Sequence, residues 1–385
     1  MFQALFNSLS GLFSFSRSLN TVSNNVSNMN TPGFRGSDSF FANINGGRGT
    51  RIAGEGMRTA AGDIRQTGNP TDLAVDGEGY FVLRDPDGNL YYTRAGQFRF
   101  NEEGMLVDSV NGYEVMGLDE SGNLVSIDFD DYRTIAAEAT TAVNFEGNLA
   151  PGSTSTTINS ISVFDSAGTA HALSATFVNN SSATPGSFLV TVKDETGATV
   201  GSGEIRFGTD GTLLAGFNQM GITLTQGGVT QAVAINFGTP GTLSGMTSLT
   251  GMATNLSAKV EDGHGVLGVT DLSFDENGVL RLVYSQSEKR EGPQVALAAF
   301  PNESALELSG GRLVSGATVD ERELGRPGEG RFGRISGGSL EMSNVDLTQE
   351  FADMIIIQRG YQASSRVMTV SNEMLEQLYN STRGG

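Results

Sequence analysis

Leu347-Thr348-Gln349-Glu350-Phe351-Ala352-Asp353-Met354-Ile355-Ile356-Ile357-Gln358-Arg359-Gly360-Tyr361 is the stretch whose period decides the fold. Apolar residues return every seventh position through it and beyond, at Leu347, Met354, Tyr361, Met368 and Leu375. Phe351 widens that stripe, and Ile355, Ile357, Val367, Val370 and Leu378 broaden it further. A sustained seven-residue repeat predicts a long helix packed against other helices, rather than a short helix lying on a sheet. Asp346, three residues before Gln349, is placed to cap its N-terminus. No proline interrupts the pattern, so the helix can run on the order of 50 Å. An amphipathic helix on its own domain's core would show a similar period, and the partner decides between the two. That partner is at the other end of the chain. Leu5, Leu12, Leu19 and Val26 also repeat by seven, with Phe2, Leu9, Ser16 and Ser23 three positions before each. Thr31-Pro32-Gly33 ends the pattern, because the residue before a proline is pushed out of the helical region.

Everything between the two ends has a different character. The 52 glycines against 9 prolines, with 38% hydrophobic residues, fit a turn-rich β body rather than a disordered chain. At 385 residues there is material for two or three domains. A formal net charge of −19 argues against nucleic-acid binding. Residues 1–37 depart from that balance, with Arg17 and Arg35 and no acid. Without cysteine there is no disulfide, thiolate nucleophile or cysteine metal site. The N-terminus lacks the basic region and continuous apolar core of a cleavable signal peptide. No run approaches the roughly 18 apolar residues of a membrane span.

In chain order, residues 34–69 look like an extended linker, with glycine at 36, 46, 47, 49, 54, 56 and 62. From Pro70 the period becomes strand-like. Asp85-Pro86-Asp87-Gly88, Asn101 to Gly104, Asp119 to Gly122, Asp165 to Gly168, Asp194 to Gly197 and Asp275 to Gly278 share one form, with Asp or Asn first and Gly fourth. That form suits type I turns joining antiparallel strands. An EF-hand calcium loop would need more alternating oxygen ligands and a glutamate at its twelfth position. Near Thr140 the composition turns to Thr, Ser, Gly, Ala and Val, with strands expected at 158–164, 172–178, 187–193 and 229–237. Strands then resume at 266–274, 279–284 and 294–300, and a glycine-rich segment, 310–338, leads to the last helix. The expected fold is therefore a mainly β body of two antiparallel domains, one inserted in the other, on a coiled-coil-like stalk of paired terminal helices. Its parts are 1–33 with 344–385 (helical core), 34–69 (linker), 70–144 with 262–343 (middle β domain) and 145–261 (inserted outer domain).

Motifs that carry chemistry are thin. Gly328-Glu329-Gly330-Arg331-Phe332-Gly333 matches G-x-G-x-x-G but lacks the preceding strand and following helix of a dinucleotide site, and reads as a loop. His171 and His264 stand alone in sequence, and Asp128, Asp130 and Asp131 read as a solvated acidic run. No Ser/His/Asp set or carboxylate pair stands out. Neither an active site nor a cofactor is expected, and the residues of interest are those of the helix stripes: Leu5, Leu9, Leu12, Leu19, Val26, Leu347, Phe351, Met354, Tyr361, Met368 and Leu375.

Laid together, several segments resemble one family. Asn24-Asn25-Val26-Ser27-Asn28 followed by Asn30-Thr31-Pro32-Gly33-Phe34-Arg35 is similar to the N-terminal signature of bacterial flagellar rod and hook proteins. Ser343-Asn344-Val345-Asp346-Leu347, then Gln358-Arg359-Gly360-Tyr361, resembles their C-terminal signature. Thr67 to Pro70, Gly77 to Phe81 and Tyr92 to Phe98 resemble the body they share. Phe145 to Leu149 looks like the entry to the hook proteins' outer domain, and Asp262-Gly263, then Phe274 to Gly278 and Val295 to Asn302, look like the return from it; distal rod proteins lack so large an insertion. The N-terminus departs from the pattern in being rich in phenylalanine.

The resemblance implies a structural subunit, not an enzyme, that polymerises with itself into a curved tubular hook and transmits torque from motor and rod to filament. It implies export through the flagellar type III apparatus without a cleaved signal, an extracellular place on the basal body, and rod, hook cap and hook–filament junction proteins as partners. It implies no nucleic acid and no membrane insertion. A distal rod protein is the nearest alternative. A β-rich extracellular adhesin or enzyme with coiled-coil ends is a more distant one.

Overall fold

The computed structural model describes residues 2–44, 49–226, 229–301, 306–309, 312–315 and 322–383. Among these the chain is mainly β, with one long helix at each end, α1 (Phe2–Ser27) and α2 (Leu347–Arg383). At 37 residues α2 is about 55 Å long. Asp346 caps it, its Oδ1 accepting from Thr348 N at 2.7 Å and Gln349 N at 3.4 Å. The reciprocal half of a capping box is not formed, because the Gln349 amide turns forward to Asp353. Contacts divide the chain into two compact units: Met1–Tyr132 with Thr270–Gly385, and Arg133–Val269.

In the first unit Tyr80–Arg84 runs through the middle of the largest sheet. It pairs antiparallel with Leu90–Thr93, Glu114–Leu118 and Leu297–Ala299. Buried on both faces, it is an apolar run rather than an alternating strand. One face packs with Tyr92, Met116, Ala298 and Phe300, while on the other Phe81 meets Phe98 edge-on at 5.0 Å. The end of the chain returns to the beginning of this unit: Arg334–Gly337 pairs with Leu73–Asp76, and Ser339–Glu341 with Ile64–Gln66.

The stretch 34–69 is not simply a linker. Strands β1 (Ser37–Asn43) and β2 (Thr50–Met57) form an antiparallel hairpin that lies along α1. Its glycines hid it; a Cβ on Gly56 would stand 2.6 Å from the edge of the exposed Phe40 ring. The hairpin is held to the helix by hydroxyls: Ser14 Oγ donates to Thr50 O at 3.0 Å, and Thr21 Oγ1 lies 2.9 Å from Ser39 Oγ.

The second unit packs a four-stranded antiparallel meander (Ser155–Phe164, Ala170–Asn179, Ser187–Lys193, Thr199–Arg206) and a five-stranded sheet around one core. Phe145, Phe177 and Phe237 form its aromatic centre, with centroids 5.6 to 6.2 Å apart. Inward Phe188, Val190 and Val192 alternate with outward residues along one strand. The expectation of purely antiparallel sheets fails here. Ala142–Asn148 pairs parallel with both Val229–Asn236 and Met246–Thr247. Parallel neighbours need a long crossover, and the intervening meander supplies it. The expected strand 266–274 is two, Leu267–Gly268 and Asp271–Phe274, because the chain passes between the two units there.

All six Asp/Asn-x-x-Gly segments are hairpin turns. In each the glycine N–H donates to the carbonyl of the first residue at 2.9 to 3.2 Å, and each glycine has a φ of +72° to +87°. The first side chain accepts from the residue after the glycine, as Asp85 Oδ1 does from Asn89 N at 2.7 Å. A type I turn closed by a left-handed residue explains why only glycine suits the fourth position. The G-x-G-x-x-G segment is a turn as well, with Gly333 N donating to Glu78 O. Of the segment 310–338, residues 310, 311 and 316–321 lie outside the described residues.

Candidate assembly site: the terminal helices and their root

The two helices run antiparallel, and the face of α1 that they share is not its leucine stripe. A Cβ on Gly11 would lie 2.9 Å from Ser364 Oγ, and one on Gly360 would lie 2.5 Å from the Phe15 ring. The buried residues of α1 are Ser8, Gly11, Ser14, Ser18, Thr21, Val22 and Asn25, and those of α2 include Glu350, Ile357 and Ser371. This buried face of α1, shared between α2 and the β1–β2 hairpin, is built largely from small and hydroxyl side chains, so the backbones approach closely at Gly11 and Gly360 while little apolar area is removed from water. Leu5, Leu12, Leu19 and Val26 sit half-buried on its flank, as do Leu347, Met354, Met368 and Leu375 on α2. Leu9, Phe351 and Tyr361 are exposed.

Exposed apolar rows remain. Phe2, Phe6, Leu9 and Phe13 follow a four-three-four spacing on the side of α1 away from the seam, and Phe2 and Phe13 are 76% and 69% exposed. On α2, Ile356, Val367, Val370, Met374 and Leu378 are each about half exposed or more. A row with this spacing is the knob pattern by which helices pack on other helices. Exposed singly such residues mean little, but a contiguous row marks an interaction surface.

At the root of the pair, three signature segments meet. Arg35 and Arg94 both grip Glu341, at 2.8 Å to Oε1 and 2.8 Å to Oε2. All three side chains are less than 5% exposed. Carbonyls take further donors of the terminal nitrogens: Arg35 reaches Thr59 O and Ala60 O, while Arg94 reaches Gly77 O and Gly79 O. Gly62 N donates to Glu341 Oε1 at 2.9 Å. Gly33, with φ +69°, donates its N–H to Glu341 O, and a Cβ there would lie 2.3 Å from Ala95 N.

One turn into α2, fully buried Glu350 joins Arg58 at 2.7 Å and Asn25 Nδ2 at 3.1 Å. Arg58 also binds Asp38 at 2.7 Å. Hydrogen bonding to Asp38, aided by Glu350 and only partly opposed by burial, holds its guanidinium above its ordinary pKa. Asn344 Oδ1 accepts from Gly36 N at 2.8 Å, and its Nδ2 donates to Ala60 O at 2.8 Å. Asn25 closes the ring through Ser37 N and Ser37 O.

The signature residues therefore divide. Asn25, Gly33, Phe34 and Asn344 sit in the root, with Ser343 and Val345 beside them. Thr31 braces Asn28. Asn24, Asn30, Gln358 and Arg359 are exposed. Glu341, Glu350, Arg58 and Asp38 escape a sequence reading because their partners lie far away along the chain. The one local signal is an acid in an otherwise apolar stretch, Leu340-Glu341-Met342.

The Asp346 cap carries a pH signature. The Thr348 and Gln349 N–H groups hold its carboxyl below the usual aspartate range. Since the folded pKa is the lower one, the cap's contribution is present above the ordinary aspartate pKa and is lost as pH falls through the folded value. The Thr348 and Gln349 amides are expected to lose hydrogen-exchange protection on acidification. Asp346→Ala should show the low protection already at neutral pH, and equal protection in the variant would sink this assignment.

Comparison with known proteins finds matches along most of the chain. Residues 5–35 match a family model described as flagella basal body rod protein, and 336–381 the flagellar basal body rod FlgEFG protein C-terminal. Residues 74–160 match the flagellar hook protein FlgE/F/G D1 domain, and 138–322 the flagellar basal body protein FlaE D2 domain. The last match runs beyond the second compact unit, which ends at Val269. The chain is 30% identical to flagellar hook protein FlgE of Brucella suis, over 97% of this chain and 98% of the relative. The chain belongs to the flagellar hook protein family. It is similarly 28% identical to the hook protein of Escherichia coli, over 97% and 98%, and 29% identical to that of Borreliella burgdorferi, over 98% and 99%. As a member of the hook family it is a structural protein of the bacterial flagellum, and the hook rather than the distal rod is its place. No helix among the described residues is long and apolar enough to cross a membrane.

Proposed function

We propose that copies of this chain polymerise through the outward faces of α1 and α2 into the curved tube of the hook, which couples the motor to the filament. The observation that supports this most is the Phe2-Phe6-Leu9-Phe13 row, left bare on the side of α1 opposite its intrachain seam. A helix that has already buried one face keeps a second for a neighbour. The root then acts as the fixed bracket between polymerising helices and β body. In this reading 1–33 with 344–385 form the inner layer, and 70–144 with 262–343 form the wall. Residues 145–261 face outward, with 34–69 bridging the first two layers. Export by the flagellar type III route, and contact with rod, hook cap and hook–filament junction proteins, belong to the same proposal, and resemblance to the hook family supports them. Electron microscopy of the purified chain at rising concentration tests the proposal. Tubes are expected, and a folded chain that stays monomeric throughout would overturn it.

A further inference from the structure

Helices α1 and α2 and the β1–β2 hairpin enclose a groove of about 260 Å³, a volume that one phenylalanine ring can fill. Val22 and Ile357 line it and are buried, while Phe41 and Ile356 line it and stay exposed. Its charged edge is Asp38, Asp353 and Arg58. Arg58 is committed to Asp38 and to Glu350, each at 2.7 Å. Asp353 accepts from the Gln349 amide at 3.3 Å and makes no ion pair among the described residues. The groove is thus an apolar hole with an uncompensated carboxylate beside it.

The complementary pair stands on α1. Phe13 is 69% exposed, and Arg17, one turn further on, is the only charged residue of the helix. The Arg17 side chain is 70% exposed, and it reaches Glu55 no closer than 3.9 Å. Residues four apart on a helix are neighbours about 6 Å apart on one face. On α2, Asp353 precedes Ile357 by the same four positions. An α1 laid antiparallel to α2 therefore seats Phe13 against Ile356 and Ile357 as it brings Arg17 to Asp353. That sense is the one the two helices already adopt within a chain, through Gly11 with Ser364 and Phe15 with Gly360. The row that holds Phe13 lies away from this seam, so the α1 that fills the groove comes from a second copy.

We propose that the groove is the seat for Phe13 and Arg17 of a neighbouring copy, with the ring in the apolar hole and the guanidinium on Asp353. This rests on the reading of the helices as the polymerising surface, and it names the two faces that meet. Knob and seat are different surfaces of one chain, so each copy that docks leaves its own groove open for the next. A contact of that kind grows an open helical array instead of closing a dimer. An α1 without acids also suits a chain whose net charge of −19 sets copies apart elsewhere.

Charge reversal on the full chain tests this. Arg17→Glu and Asp353→Arg should each raise the concentration at which tubes appear by about tenfold or more, since each sets like charges together. An equimolar mixture of the two variants should assemble near the parent's concentration, because every copy then finds a neighbour of opposite sign. Mixing cannot restore a pair within one chain, so the rescue reports a contact between copies. A photoreactive benzophenone side chain in place of Phe13 should cross-link to the peptides of another copy that hold Phe41 or Ile356. If either reversal lowers the denaturant midpoint, the cross-link decides. Tubes at the parent's concentration from both reversals, a mixture no better than its components, or cross-links confined to other surfaces would overturn the seat and leave the tube standing. A parent that makes no tubes would overturn the seat together with the reading beneath it.

Discussion

Replacing Glu341 by glutamine should cost about 3–5 kcal/mol, because the change leaves Arg35 and Arg94 as buried cations without their shared anion. Glutamine keeps the shape and can still accept from Gly62 N, so the loss reports charge rather than a cavity. A denaturant midpoint of the first unit is the measurement. The apolar combination Arg35→Met, Arg94→Met and Glu341→Leu should recover much of the loss, since well-packed hydrophobes often replace buried ion clusters without penalty. A Glu341→Gln protein within about 0.5 kcal/mol of the parent would show that the surrounding carbonyls alone suffice for the arginines.

The second large effect is on assembly. Phe6→Asp with Phe13→Asp places two charges on the bare row of α1 while touching nothing in the seam. Stability of the free chain should change by no more than about 0.5 kcal/mol per site, as for exposed positions elsewhere. Polymerisation should fail, since burying unpaired carboxylates between helices costs several kcal/mol per contact. Tubes of normal appearance from this variant would remove α1 from the assembly surface. Leu12 and Met368 are poorer probes than their heptad position suggests. Both are half-buried beside the intrachain seam, so a charge there would confound folding with assembly.

That contrast shows what the sequence made legible. Period seven announces two long helices because any helix burying apolar residues on helices must repeat so. It says nothing of which face meets which partner. The helices touch at Gly11 against Ser364 and at Gly360 against Phe15, through glycines that a hydrophobic pattern passes over, while the conspicuous leucines lie to one side. The six turns were legible in full, since Asp or Asn first and Gly fourth satisfy purely local geometry. The Arg35–Glu341–Arg94 cluster was not, because pairing across most of the chain leaves no local trace. The hairpin β1–β2 was hidden for a third reason: its register depends on α1, to which it is bonded by Ser14 and Thr21.

The interleaving of the first unit bears on the order in which the molecule can be completed. Tyr80–Arg84 needs Leu297–Ala299, Leu73–Asp76 needs Arg334–Gly337, and Arg35 waits for Glu341. The second unit draws all its strands from one contiguous span, Arg133–Val269. A chain delivered N-terminus first, by a ribosome or through a channel, can therefore close its second unit while the first is still an open frame. The Tyr80–Phe81 end of the central strand then stands with an unpaired edge until more than two hundred further residues have arrived, although Leu83 and Arg84 already pair with Val115 and Glu114. Vectorial delivery thus leaves the root of the helices to be fastened late, with α2 emerging after the strands of the body.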